Sequence, residues 1–397
     1  MIRQRLLKDQ VLSDRERKNI AILELIGKSG PMTKTDISKI TELNVVTVSN
    51  YINNYIQADL VKEIGFDVSS GGRKPTLVDL NYESGYVVGV GLDHKFDKIV
   101  CVLLNYASHL VKKKIVPCDP KDRSEGLIEK IADVVDQLIS ESGVNLSKIK
   151  GIGLSLPGTL DERGETVKWP SSVGKMDIMI YLPVRAVFEK RFRIPVFIER
   201  NDVSAVAGER WMNLSSDVQN VLFMYSGMGC GYITCGQLFR GPAGTAGLLG
   251  VKKLEEENFT DLCKDDFDLG ISKKIEEYIQ SGQEVKIADK ENVTLESIIQ
   301  AAADGDRVCL EVIQDAGERL GRKVAFLVNF LNPEVVLIGG GIEEGCPLFL
   351  DSVRKSIKKY SVDEATNILK VMPSTLKENL FAMGGASIVI QELFAQV

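Results

Sequence analysis

Apolar side chains between residues 33 and 57 recur at helical spacing, whereas beyond residue 85 short unbroken apolar runs alternate with longer amphipathic stretches. The first rhythm predicts a pair of short helices, the second an α/β body. Thr33-Lys34-Thr35-Asp36, a Thr with an acid three residues on, is a capping-box pattern that opens a helix reaching Ile40. Asn44 can cap a second helix, whose buried face is expected to be Val48, Ile52, Tyr55 and Ile56. Thr47, Ser49, Asn50, Asn53 and Asn54 are left outside, short polar groups able to bond base edges or phosphates. Gly71-Gly72-Arg73-Lys74-Pro75 then separates β-prone residues 61–68 from 76–78, a tight tip where two cations can approach a phosphate backbone or a minor groove. Singly, these pieces also describe a generic helical hairpin and an exposed basic turn. In this order and spacing they predict a winged helix-turn-helix over residues 1–80. Thr47, Ser49, Asn50 and Asn53 would read DNA, and Arg73 and Lys74 would hold the wing on it.

Residues 86–92 and 99–104 read as successive strands, 125–142 as an amphipathic helix and 149–156 as a buried strand. A strand over 195–198 enters a loop before a helix over 202–211, and residues 221–225 and 231–234 start a second sheet. Helices over 295–305, 309–331 and 347–360 surround a strand at 335–338 that runs into Gly339-Gly340-Gly341. The pattern predicts two α/β lobes with a cleft between them, one over 81–200 and one over 201–384. A last helix, within 385–397, is expected to pack back on the first lobe.

Charge changes this picture by locating a partner. Residues 1–80 carry 12 Lys+Arg against 10 Asp+Glu, a net of +2, while the whole chain is −6, which leaves −8 for the remainder. A nucleic acid is therefore expected on the N-terminal segment and not on the body. The seven cysteines (Cys101, Cys118, Cys230, Cys235, Cys263, Cys309, Cys346) form no C-x-x-C pair, which suits a reducing compartment better than a disulfide framework. No run approaches the roughly 18 apolar residues of a membrane helix, and the first residues lack the apolar centre of a secretory signal. A cytoplasmic protein without a membrane partner is expected. With His94 and His109 alone, histidine chemistry has little to draw on.

Four segments then stand in a recognisable order: Gly151-Ile-Gly-Leu-Ser-Leu-Pro-Gly158, Ile194-Pro-Val-Phe-Ile-Glu-Arg-Asn-Asp202, Gly241-Pro-Ala-Gly-Thr-Ala-Gly247 and Val335-Val-Leu-Ile-Gly-Gly-Gly-Ile342. From about Gly85 onward the chain resembles the ROK family, bacterial repressors and sugar kinases of the actin-like ATPase superfamily. The helix-turn-helix in front matches the repressor branch. The fold implied is a winged helix followed by a two-lobed, actin-like body.

The chain departs from the pattern of the family's kinases. Their first-strand Asp-x-Gly-Gly-Thr hairpin holds ATP phosphates. The corresponding stretch, Gly89-Val-Gly-Leu-Asp-His-Lys-Phe-Asp-Lys98, has no Gly-Gly-Thr and puts bulky residues in the turn, with Asp93 and Asp97 reading as turn residues. Ser226-Gly-Met-Gly-Cys-Gly231 replaces the second, Gly-Thr-Gly-x-Gly loop. The family reads sugar hydroxyls with a Glu and a His; Leu248 and Val251 take their places. That His is also a ligand of the family's structural zinc, and residues 252–270 offer only Cys263, so no metal is expected. Asn201 and Asp202 stand where the resemblance puts the sugar-binding Asn and the catalytic base. They read either as retained ligand contacts or as the cap of the helix that follows. Pro157, Gly158, Gly244 and Thr245 would line the same cleft; Trp169 is a sugar platform or packing, and Ser171 and Ser172 are further hydroxyl readers.

The resulting expectation is a DNA-binding transcriptional regulator, a repressor of carbohydrate-metabolism genes, whose body senses a sugar without catalysis and without a cofactor. Its partners would be a double-stranded operator, a sugar effector and its own copies in a homodimer or tetramer. Two alternatives stay open: an active ATP-dependent sugar kinase, and a regulator answering to a non-sugar ligand or a partner protein.

Overall fold

The computed structural model describes residues 11–66, 75–119, 122, 124–161, 163–173, 176–225, 229–249 and 269–397, with the backbone alone described at 170–173, 176–178, 344 and 345. These residues divide into two compact units, Met1–Asp217 with Gly241–Gly244 and Glu378–Val397, and Val218–Arg240 with Thr245–Lys377.

The first unit opens with helix α1, Asp14–Ser29. Ser13 and Glu16 form a full capping box, the Ser13 hydroxyl accepting from Glu16 N and the Glu16 carboxylate from Ser13 N. Helix α2, Lys34–Thr41, is capped by Thr33, and α3, Val45–Gln57, by Asn44, whose Oδ1 accepts from Thr47 N at 2.8 Å. Strands β1 (Met32–Thr33), β2 (Val61–Phe66) and β3 (Thr76–Leu80) form an antiparallel sheet in the order β1-β3-β2. Ile22, Ile26, Ile37, Val48, Ile52 and Tyr55 are the centre of this module. Ile56, expected in that core, is 37% exposed instead. At about 100° per residue it lies about 80° round the helix from Val48 and overhangs the edge of the buried face.

The hydrophobic cluster does not end at residue 80. It continues through Val87, Val102, Leu104, Phe197 and Trp211 to the C-terminal helix α11, Leu380–Ala395. Polar bonds reinforce the junction: Glu24 of α1 accepts from Arg210 of α6 (Asn201–Asn213) at 2.9 Å and from Lys28 at 2.7 Å.

Five strands form the main sheet of this unit, in the order β11-β7-β4-β5-β6. Strands β4 (Tyr86–Leu92), β5 (Lys98–Asn105) and β6 (Leu110–Pro117) are antiparallel neighbours; β7 (Ile149–Leu156) and β11 (Val196–Arg200) run parallel to β4. A smaller sheet, β10-β9-β8, holds β8 (Thr159–Leu160), β9 (Val167–Val173) and β10 (Met176–Leu182). Alternation along β4 sends Val88, Val90 and Leu92 to the core shared with α4 (Glu125–Ser142) and α5 (Val184–Phe192). Val87, Gly89 and Gly91 face α11. The two glycines matter there, because a Cβ on Gly91 would stand 2.7 Å from Ala382 N and one on Gly89 2.8 Å from Ala386 Cβ. Helix α11 thus seats backbone against backbone, and α6 packs on it as well. That packing is why the unit runs on through α6 to Asp217 and does not end near Asn201.

The second unit is also α/β. Its sheet, β14-β13-β12-β15-β16, contains β12 (Val221–Tyr225), β13 (Gly229–Thr234), β14 (Gln237–Leu238), β15 (Val335–Gly339) and β16 (Lys370–Pro373). Helices α7 (Ile271–Gln280), α8 (Leu295–Ala303), α9 (Arg307–Leu331) and α10 (Pro347–Tyr360) share its core. Among the described residues no helix is long and apolar enough to cross a membrane.

Candidate functional site

Strand β11 is buried along its whole length, and its last residue is Arg200. A buried guanidinium needs partners, and it finds them close by. Arg200 Nε donates to Asp202 Oδ1 at 3.0 Å and Nη2 to Oδ2 at 2.6 Å, while Nη1 donates to the Gly244 carbonyl. Both carboxylate oxygens are therefore engaged in a two-pronged ion pair, and Oδ1 also accepts from Val203 N at 3.0 Å. Burial pushes the Asp202 carboxyl above the usual carboxylate range, and the Arg200 charge opposes that shift. Three of the carboxylate's roughly four acceptor sites are thus in use, and the arginine charge opposes its taking up a proton. Asp202 does not cap α6 either; Arg200 occupies the cap position and makes no side-chain cap bond.

Asn201 is equally committed. Its Nδ2 donates to the Leu92 carbonyl at 2.8 Å and its Oδ1 accepts from Ser155 Oγ at 2.9 Å. The side chain pins the start of α6 to the ends of β4 and β7, with both of its polar atoms in use.

Side chains line the turn between β4 and β5. Asp93 Oδ1 accepts from Lys95 N at 3.1 Å and Phe96 N at 2.9 Å. Phe96, in a left-handed conformation with φ 59°, sets its ring edge-on to Trp169 at 5.0 Å. Burial raises the Asp93 carboxyl and lowers His94 to about 4. Trp169 is fully buried and donates its indole N–H to the Pro157 carbonyl at 2.7 Å. It is wall and not an open platform. Gly158, at φ 97°, passes so close that an added Cβ would stand 2.7 Å from Trp169 Cδ1.

Of the ligand residues expected from the sequence, Asp202 and Gly244 are brought together by Arg200, Asn201 is held by Leu92 and Ser155, and Pro157 and Gly158 adjoin Trp169. Thr245 belongs to the second unit, where its carbonyl accepts from Leu248 N at 3.2 Å. Arg200 itself was not expected in the site, although a charge closing an apolar strand was the available signal. Residues 226–228, Val251 and Cys263 lie outside the described residues. Ser171 and Ser172 pair in β9, their side chains likewise undescribed. Among the described residues no three His, Cys, Asp or Glu side chains are grouped to hold a metal.

The N-terminal face presents different chemistry. Asn50 and Asn53 of α3 are exposed, and Thr47 and Ser49 are half-buried. Val46, to which the sequence pattern assigns no role, is 72% exposed on the same side of the helix. Arg73 and Lys74 lie outside the described residues.

Residues 89–392 match the ROK family. The chain is 29% identical over 391 residues to a xylose repressor of Caldicellulosiruptor bescii, covering 95% of this chain and 96% of the relative. A solved structure described as a ROK family transcriptional regulator, homologous to the E. coli MLC protein, aligns with a TM-score of 0.76 at 22% identity, over 96% of this chain and 97% of that one. A ROK family glucokinase from Streptomyces griseus aligns with a TM-score of 0.64 at 19% identity, covering 99% of the kinase but only 77% of this chain. The fold is common to both, and the match over most of the sequence places the chain in the ROK family.

Proposed function

We propose that this protein is a sugar-responsive transcriptional repressor with no kinase activity. The N-terminal module is a winged helix that binds a double-stranded operator in the cytoplasm. Thr47, Ser49, Asn50 and Asn53 face the bases or backbone, and Arg73 and Lys74 anchor the wing on phosphate. A homodimer presents two such modules to a two-fold-related site. The body binds a sugar, and the sugar acts by favouring one of two body conformations; equal affinity for both would shift nothing.

The observation that carries the non-enzymatic part is the Arg200–Asp202 pair, which occupies the carboxylate at the base position. The side chains lining the turn at Phe96 support it. The regulatory part is supported by the likeness to a xylose repressor along 95% of the chain.

The test has two arms. Full-length protein is selected against a random duplex library, and xylose and other sugars are titrated into the enriched complex. Enrichment of an inverted repeat that a sugar releases is the expected result. In the second arm, ADP formation from ATP is followed over the same sugars and is expected to be absent. ADP production abolished by Asp202→Asn would replace this reading with that of a kinase.

A further inference from the structure

We infer that Val46 is a base-reading residue that meets the C5 methyl of a thymine, with Asn50 one turn on against an adenine; this rests on the DNA-reading role proposed above. Helix α3, with the sequence VVTVSNYINNYIQ, contains no charged side chain. Val46, Asn50, Asn53 and Gln57 are all exposed. At about 100° per residue they fall within a stripe about 60° wide. Val46 is 72% exposed and contributes nothing to the core beneath Val48 and Ile52. A β-branched residue at an exposed helical site also has a poorer helix propensity than alanine, so the position gains nothing for the fold.

The stripe matches one class of base pair. Carboxamides bond N6 and N7 of adenine, and aliphatic groups meet the thymine methyl. Guanine is read by Arg or Lys, and cytosine N4 by Asp or Glu. Only the first two chemistries are present on the stripe of Val46, Asn50, Asn53 and Gln57. Val46 is the second residue of the helix, the end that meets base edges in helix-turn-helix docking. Charged phosphate contacts come from elsewhere, and exposed Lys39 on α2 is available for them.

Deoxyuridine substitution removes the methyl and nothing else. Full-length protein is first used to select its duplex, then assayed on versions with each thymine replaced in turn. Wild type should lose about fourfold in affinity at the thymine under Val46, the worth of one buried methyl. Val46→Ser should bind the thymine and uracil duplexes equally, with an unchanged melting temperature, and Val46→Thr, which keeps one methyl, should retain the preference. An enriched duplex on which uracil is neutral everywhere, or a Val46→Ser protein that still prefers thymine, overturns the inference and leaves the DNA reader standing. Failure to enrich any duplex removes both.

Discussion

The Tyr55 hydroxyl, on the underside of α3, donates to Asn19 Oδ1 of α1 at 2.9 Å. The same amide passes two hydrogen bonds on, from Nδ2 to the carbonyls of Ala395 and Val397 at 3.2 and 3.1 Å. Asn19 is 1% exposed, so its amide has no water to turn to as an alternative. Asn19→Leu should therefore cost about 1–3 kcal/mol, seen as a lower urea midpoint with an unchanged slope. Tyr55→Phe, which leaves only one acceptor unmet, should cost about 1 kcal/mol. Wild-type stability in Asn19→Leu would show that the network carries no free energy.

Removing Arg200 alone strands a buried carboxylate. Arg200→Met should destabilise the protein by about 3–5 kcal/mol, whereas Arg200→Met with Asp202→Leu should recover most of that loss. Chemical denaturation of the two variants decides it. If the double variant is no better than the single one, the cost lies in poorer packing and the ion pair is not its source.

His94 gives the stability a pH dependence of known sign. Burial holds the folded imidazole down at about 4 against 6.5 in the unfolded chain. The unfolded state then binds the proton more readily, so stability is complete above pH 6.5 and falls as the pH drops toward 4. The loss is on the order of 3 kcal/mol, because each pH unit separating the two values is worth about 1.36 kcal/mol. His94→Phe should flatten this part of the profile, and an identical slope in the variant would assign it to other groups.

Gly153 sits under α11, where a Cβ would run into the Gly385 backbone and lie 3.0 Å from Val389 Cγ2. Neither clash can be relieved by turning a long flexible side chain. Gly153→Ala is expected to lower stability by about 1–3 kcal/mol or more, read as a fall in the urea midpoint. Gly143→Ala in the open αL cap of α4 makes a useful comparison, because its cost is conformational and not steric.

On the DNA side, Arg73→Ala with Lys74→Ala should flatten the salt dependence of operator binding. The slope of log K against log salt should fall by about 0.9 for each phosphate that the two cations no longer neutralise. An unchanged slope would remove the wing from the interface.

Local signals made the caps at Thr33 and Asn44 legible, because a side chain three residues from its backbone partner is a property of short sequence. The same signal stood at Ser13 and Glu16 and marks α1. The buried faces were legible from spacing, apart from Ile56, where the helical period had drifted off the core. Sheet order and the seat of α11 were not legible, since they depend on segments that meet across long stretches of chain. The site was read only in part for the same reason. Position identified Asn201 and Asp202, but the partners of Asn201, Ser155 and Leu92, and the Gly244 carbonyl that shares Arg200 with Asp202 come from distant segments. Those partners turn two candidate ligand contacts into members of the scaffold.

The glycine seat of α11 has a mechanical corollary. Side chains at an interface act as springs, taking up small displacements by changing rotamer. At Gly89, Gly91, Gly153 and Gly385, where β4 and β7 come closest to α11, there are no such springs. A displacement of the strands at those four positions bears directly on the helix backbone. At the far end of that helix is the pair of carbonyls that Asn19 grips. The close seat between those carbonyls and the sheet is thus written in the residues that have no side chain at all.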